Sequence, residues 1–271
     1  MPHSDIASLP TVDGLDVSLD KGILSVTLNR PDSLNSLILP VVTALADAME
    51  TAAIDPEVKV VRLGGVGRGF CSGAGIGPER STTSTNGALP DSIILEINRL
   101  MRAITVLPHP VVSVVHGPAA GVGVSLALAC DIVLASEQAF FMLAFTKIGL
   151  MTDGGASALV AANIGRARAM RMALLGERLT AAEVASWGLV SAIYPADEFD
   201  AAAEKVVAQL AAGPSVALAR TKAALNAATL TELEPTLWRE FDGQSKLLVA
   251  HDFVEGVTAF QQKREATFTD R

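Results

Sequence analysis

Residues 117–123, GPAAGVG, are the first stretch of the chain whose composition suits chemistry. A helix that starts in such a turn leaves its first backbone N–H groups unpaired, with the positive end of the helix dipole behind them. Gly121 and Gly123 place no side chain in the way, so a ligand oxygen could come close to the N–H of Val122. The pattern suits a phosphate cradle or one half of an oxyanion hole. It equally suits tight packing of a helix on a strand, and a short glycine motif does not choose between these. A second candidate is Asp153, in LMTDGG. Read locally, Thr152 or Asp153 caps a helix that starts near Gly154. Cys71 and Cys130 make neither a disulfide framework nor a metal site by spacing. Reduced, semi-buried thiols of a cytosolic protein are the expectation.

The elements that position these residues follow from the apolar pattern. From residue 103 to 130 there is no Asp, Glu, Lys or Arg, so the run must be buried in protein or lipid. It is long enough to span a bilayer by residue count. Pro108, Pro110, Pro118 and the glycines break it, which favours burial in protein. The reading is a β-branched strand VVSVV, a glycine turn, a helix over about 122–128 and a strand DIVLA. Upstream, residues 14–30 alternate around an Asp-Lys-Gly turn and read as a β-hairpin. A helix follows from about residue 39, then a buried strand VKVVRLGGV and the glycine-rich loop GRGFCSGAGIG. Residues 77–90 read as a mobile surface loop. An amphipathic helix leads from it into the central apolar run. AFFMLA reads as a further strand, and residues 179–194 as a capped helix, a glycine stop and a strand. Strands alternate with helices to about residue 195, suggesting βα crossovers. Beyond it alanine and charge rise, and about four helices fit.

The totals narrow the function classes. The chain has 271 residues, half of them apolar, and a net charge of −8. Such an acidic surface argues against a nucleic-acid partner. The first residues, MPHSDIASLP, lack a basic start and an apolar run, so they read as neither signal nor anchor and are expected to be disordered.

Four segments together resemble the crotonase (enoyl-CoA hydratase/isomerase) superfamily: LNRPDSLNSL at 28–37, GFCSGAGI at 69–76, HGPAAGVGVSLALACDIVLAS at 116–136, and KIGLMTDGGAS with GLVSAIYP at 147–195. The C-terminal EGVTAFQQKREATF also fits, so the resemblance spans about 14–268. It implies an α/β fold with a crotonase-like ββα spiral core over 14–198 and a helical C-terminal trimerisation region over 199–271; residues 1–13 ahead of it are the segment expected from composition to be disordered. It further implies an acyl-CoA thioester substrate, whose coenzyme A is part of the substrate rather than a separate cofactor, and assembly as a homotrimer or a hexamer of two trimers, away from membranes and in the cytoplasm. By motif position the oxyanion hole falls to the N–H groups of Ala74 and Val122. Ser33, Leu34, Ser72, Gly75, Ile76, Gly121 and Phe145 match positions lining the substrate site. Lys263 matches a C-terminal basic position that meets coenzyme A phosphates, of its own or of a neighbouring subunit, and its alternative is an ordinary solvated helix charge.

The chain departs from the hydratase pattern at two positions. Where typical hydratases of this superfamily carry two glutamates, it has Ser125 and Phe145. Adding water needs a positioned water and a proton donor, which Ser and Phe do not supply. Ser125 is expected to bond back to a helix carbonyl, and Phe145 to line an apolar pocket. Asp153 matches the acid of the isomerases in the superfamily, so the resemblance turns it from a helix cap into a base for shifting the double bond of an enoyl-CoA. An enoyl-CoA hydratase and a non-catalytic acyl-CoA binder are the alternatives.

Overall fold

The computed structural model describes residues 5–75 and 91–269. Two strands, β1 (Leu15–Asp20) and β2 (Ile23–Leu28), form the expected hairpin in antiparallel register. Lys21 and Gly22 take positive φ between them, at 49° and 81°. That is the twist a two-residue hairpin turn requires, and Gly22 supplies it without strain. Helix α1 (Leu39–Ala52) follows and buries Val41, Val42, Leu45, Ala46 and Met49 at helical spacing.

Strand β3 (Val60–Gly65) lies parallel to β2. After α2 (Asp91–Val106) come β4 (Val111–Val115), the short β5 (Ala119–Ala120), α3 (Val122–Ala129) and β6 (Ile132–Ser136). Then follow β7 (Phe140–Met142), α4 (Ala156–Leu175), β8 (Leu179–Thr180), α5 (Ala181–Trp187) and β9 (Ala192–Tyr194). One sheet runs β1-β2-β3-β4-β6-β9, and a smaller one runs β5-β7-β8. The larger sheet is parallel from β2 onward.

Every residue of β4 is buried, because the sheet is covered on both faces. Val111 and Val115 join the main core, whereas Val112 and Val114 pack with Phe199, Ala203 and Val207 of α6 (Phe199–Ala211) on the other side. A strand covered on both sides reads as a continuous apolar run, which is why VVSVV does not alternate. Ser113 is accommodated by donating its hydroxyl to the carbonyl of Ala127 in α3 at 3.1 Å. Among the described residues no helix is long and apolar enough to cross a membrane.

The remaining helices, α7 (Ser215–Thr229), α8 (Leu233–Leu247) and α9 (His251–Gln262), complete the four expected beyond residue 195. They do not form a detached appendage. Helix α8 packs on α2 and α4, and α9 packs on the 3-10 turn Phe145–Ile148. Gly256 allows that second contact, since a Cβ there would collide with the Ile148 backbone at about 2.5 Å.

Two expectations need correction. Residues 5–13 are not without structure: Ile6 opens a 3-10 turn, is buried, and donates its N–H to Asp55 at 3.0 Å. A single apolar side chain with a distant carboxylate partner fixes this stretch. The helix after residue 153 starts at Ala156, and neither Thr152 nor Asp153 caps it; its N-cap is Gly155, which makes no side-chain cap bond. The surface loop expected at 77–90 and Ile76 lie outside the described residues.

Candidate active site

The loops at 30–38 and 69–75 are fastened to each other by main-chain bonds. Ser72 N–H donates to the Leu34 carbonyl at 2.9 Å, Leu37 N–H to Gly73 at 2.8 Å, and Gly75 N–H to Leu37 at 3.0 Å. The Ser72 hydroxyl adds a bond to the Ser33 carbonyl at 2.9 Å. Buried Asn35 braces the pair, donating its amide to the carbonyls of Val66 at 2.9 Å and Gly69 at 2.7 Å. The structure thus brings Ser33, Leu34, Ser72 and Gly75 together, with Leu34 and Asn35 in the left-handed region.

The same loop reaches the glycine turn. Ala120 N–H donates to the Cys71 carbonyl at 2.9 Å. A Cβ on Gly73, whose φ is 93°, would lie 2.8 Å from the Ala120 carbonyl oxygen and 3.5 Å from the Val122 nitrogen. Gly73 is therefore required both by its backbone conformation and by this close approach. The N–H groups of Ala74 and Val122 consequently sit on adjoining backbones. Among the described residues neither donates to a protein acceptor. Val122 is the first residue of α3, so its N–H belongs to the unpaired set of a helix N-terminus.

Phe145 is buried beside this turn, with its ring edge 3.7 Å from where a Gly121 Cβ would stand. Ser125, one turn into α3, is fully buried. Its hydroxyl does not bond back within its own helix as expected; it donates across to the main-chain carbonyl of Asp153 at 2.8 Å. The following glycine is packed against α3 as well: a Cβ on Gly154 would stand 2.9 Å from Val122 and 3.1 Å from Ser125. Asp153 is thereby held beside the first turns of α3.

The Asp153 carboxyl is almost wholly buried. Oδ2 accepts from the Gln244 amide at 3.0 Å, and Oδ1 has no hydrogen-bond partner among the described residues. Burial pushes its pKa up to about 7, the nearby Glu240 charge adds to the rise, and the Gln244 donor offsets part of it.

Glu240 supplies the cap that the sequence near residue 153 does not. Its carboxylate accepts from Gly155 N–H at 2.6 Å and Ser157 N–H at 2.9 Å, at the N-terminus of α4. Burial raises its pKa too, but hydrogen bonds from Ser157, Gly155 and Thr152 hold the charged form. A carboxylate satisfied at a helix N-terminus keeps its charge more readily than one with a bare oxygen. Burial raises both, and of the two Asp153 has fewer donors to offset it among the described residues.

Glu240 and Gln244 were not anticipated from the sequence. A signal was available, because the buried stripe of α8 runs through Leu233, Thr236, Leu237, Glu240 and Gln244. Two long polar side chains on the core face of a helix need buried partners. Lys263 ends α9 in a left-handed conformation with an exposed side chain, and among the described residues no hydrogen bond or ion pair ties that side chain to the site loops.

Comparison with known proteins fits this arrangement. The family model described as enoyl-CoA hydratase/isomerase matches residues 18–271. The 1,2-epoxyphenylacetyl-CoA isomerase of Escherichia coli is 37% identical over 256 residues, covering 93% of this chain and 97% of its own. A probable enoyl-CoA hydratase of Rhodobacter capsulatus is 38% identical over 254 residues, covering 93% of this chain and 96% of its own. The crystal structure of an enoyl-CoA hydratase from Mycobacterium avium subsp. paratuberculosis superposes with a TM-score of 0.90 at 70% identity, covering 96% of this chain and 100% of that one. That match establishes the crotonase fold with its helical C-terminal region, and the chain belongs to the enoyl-CoA hydratase/isomerase family.

Proposed function

We propose that the protein shifts the double bond of an enoyl-CoA thioester, with Asp153 as the single acid–base group and the Ala74 and Val122 N–H groups as the oxyanion hole. The observation that carries this reading is the Asp153 carboxyl: buried, beside α3, with one oxygen lacking a partner among the described residues and a pKa raised to about 7. A carboxylate pushed toward neutrality is a stronger base while still ionised at working pH.

The reaction balances with one base. Asp153 takes a proton from C2 of a 3-enoyl thioester. The C2–H electron pair becomes part of a dienolate whose negative charge gathers on the thioester oxygen. Two backbone donors receive that charge, and each such donor is worth roughly 3 kcal/mol in other enzymes. The C3=C4 double bond then moves to C2=C3 as the dienolate collapses and C4 takes the proton back from Asp153. Ser33, Leu34, Ser72, Gly75, Gly121 and Phe145 line the substrate side of this assignment, Ile76 is assigned to it by motif position alone, and Lys263 receives the coenzyme A phosphates. Ser125 and Phe145 stand where a water-adding pair would be, and neither can activate a water molecule. That favours isomerisation over hydration.

Asp153→Asn tests the reading. It keeps the size and an acceptor for Gln244 but cannot take and return a proton. Turnover of a 3-enoyl-CoA should fall at least about 100-fold with thioester affinity largely retained. Parental turnover by Asp153→Asn would remove this residue from the mechanism.

A further inference from the structure

Gln244 is held at both ends. Its Oε1 accepts from the main-chain N–H of Met151 at 3.2 Å, and its Nε2 donates to Asp153 Oδ2 at 3.0 Å. A backbone N–H can only donate, so the Met151 contact fixes which end of the amide is oxygen. The NH2 end must then face Asp153. Oδ2 is committed as an acceptor, whether or not the carboxyl is charged. In the neutral acid the proton must therefore sit on the other oxygen, Oδ1. That oxygen is buried and has no partner among the described residues.

From this geometry we infer that Gln244 is a positioning residue, which reserves Oδ2 and makes Oδ1 the one oxygen that carries the proton between substrate carbons. The inference rests on Asp153 being the base. It assigns α8, from the C-terminal helical region, a part in the chemistry within its own chain. The Gln244 bond also keeps the carboxyl plane from rotating. A single fixed oxygen that removes a proton from one carbon can deliver it to another on the same face without exchanging places with its neighbour. Gly243 permits the approach, because a Cβ there would collide with the Met151 sulfur. Of the groups facing the carboxyl, Glu240 is the one that titrates; the neighbours of Gly154 from α2 and α3, namely Ile97, Val122 and Ser125, do not.

Two substitutions separate positioning from simple packing. Gln244→Met removes both bonds at similar volume, and Gln244→Glu keeps the acceptor for Met151 N–H while losing the amide donor. Both should lower kcat by about 10-fold or more with KM changed less than about 2-fold, since the donor acts on the base and not on substrate binding. Gln244→Met should move the acid limb of kcat/KM to higher pH, because the lost bond favours the charged carboxylate, and in Gln244→Glu the like charge beside Asp153 adds to the same shift. If Gln244→Met fails to fold, Gln244→Glu decides alone. Parental rate and pH profile in Gln244→Glu would overturn the inference, leaving Gln244 as an anchor for Met151. In an Asp153→Asn background, Gln244→Met should cost no further turnover beyond about 2-fold, as expected for residues acting as a unit. A further drop of about 10-fold there would show that Gln244 acts by another route. Full activity of Asp153→Asn by itself would instead bring down the base assignment.

Discussion

The Ser125 hydroxyl donates to the Asp153 carbonyl at 2.8 Å, joining the helix opened by the glycine turn to the segment that bears the buried carboxyl. Both residues are buried. By the resemblance of the segment HGPAAGVGVSLALACDIVLAS, Ser125 falls where typical hydratases carry a glutamate, and here its hydroxyl bonds the backbone of Asp153.

Crotonyl-CoA hydration should therefore be very slow. Losing positioned acid–base help typically lowers a rate by roughly 100- to 10,000-fold. Restoring one acid should not restore the activity, because Ser125 is fully buried and its hydroxyl already lies 2.8 Å from the Asp153 carbonyl. A glutamate there would have to displace the loop at 152–155. Following the 2-enoyl thioester absorbance of the parent and of Ser125→Glu checks this. Turnover comparable with ordinary hydratases in either protein would mean that the water-activating groups lie elsewhere.

The sequence shows clearly those features whose causes are local. Lys21-Gly22 closes a hairpin, and Thr180 with Glu183 forms a reciprocal capping box at the start of α5. The turn and helix around GPAAGVG appear where the glycines and the apolar run place them. What escaped is what depends on a distant partner. Asp153 has every local mark of a cap, yet Glu240, 85 residues from Gly155, takes that role and leaves the aspartate free for other work. Ile6 is ordered by Asp55, 49 residues on. The strands β5 and β8 are two residues each, too short to carry an alternation. The same limit hid Gln244, whose meaning lies in a bond across 91 residues.

The protein should assemble through its C-terminal helices. Among the residues of α7 only Lys222 is buried, anchored to Asp131 at 2.8 Å and to the carbonyl of Ile104 at 2.9 Å. Two large apolar side chains of that helix remain outside, with Val216 77% exposed and Leu225 59% exposed. Phe260 on α9 is 62% exposed. Surfaces of this kind on consecutive helices call for a partner. Light scattering should give the mass of a trimer or a hexamer. A stable monomer at micromolar concentration would show that these faces stay solvated.

Asp153 should leave its mark on stability as well as on rate. An ordinary carboxyl of this type titrates near 3.8, whereas in the folded protein burial holds this one up to about 7. Between those values the folded chain keeps a proton that the unfolded chain has released. Stability must therefore fall as pH rises across that window, and the loss is complete above about 7. Each tenfold difference in proton affinity between the two states is worth about 1.4 kcal/mol, so the whole effect is on the order of a few kcal/mol. Asp153→Asn cannot ionise and escapes this loss, while Glu240 remains in both proteins and largely cancels in the comparison. Thermal melting of the two from pH 4 to pH 8 should show Asp153→Asn gaining on the parent as pH rises. The same ionisation makes the base, so parental kcat/KM should climb through the same range, toward a plateau above about pH 7. A stability difference that does not change with pH would mean that the carboxyl stays charged throughout, and would remove the raised basicity on which the proton transfer depends.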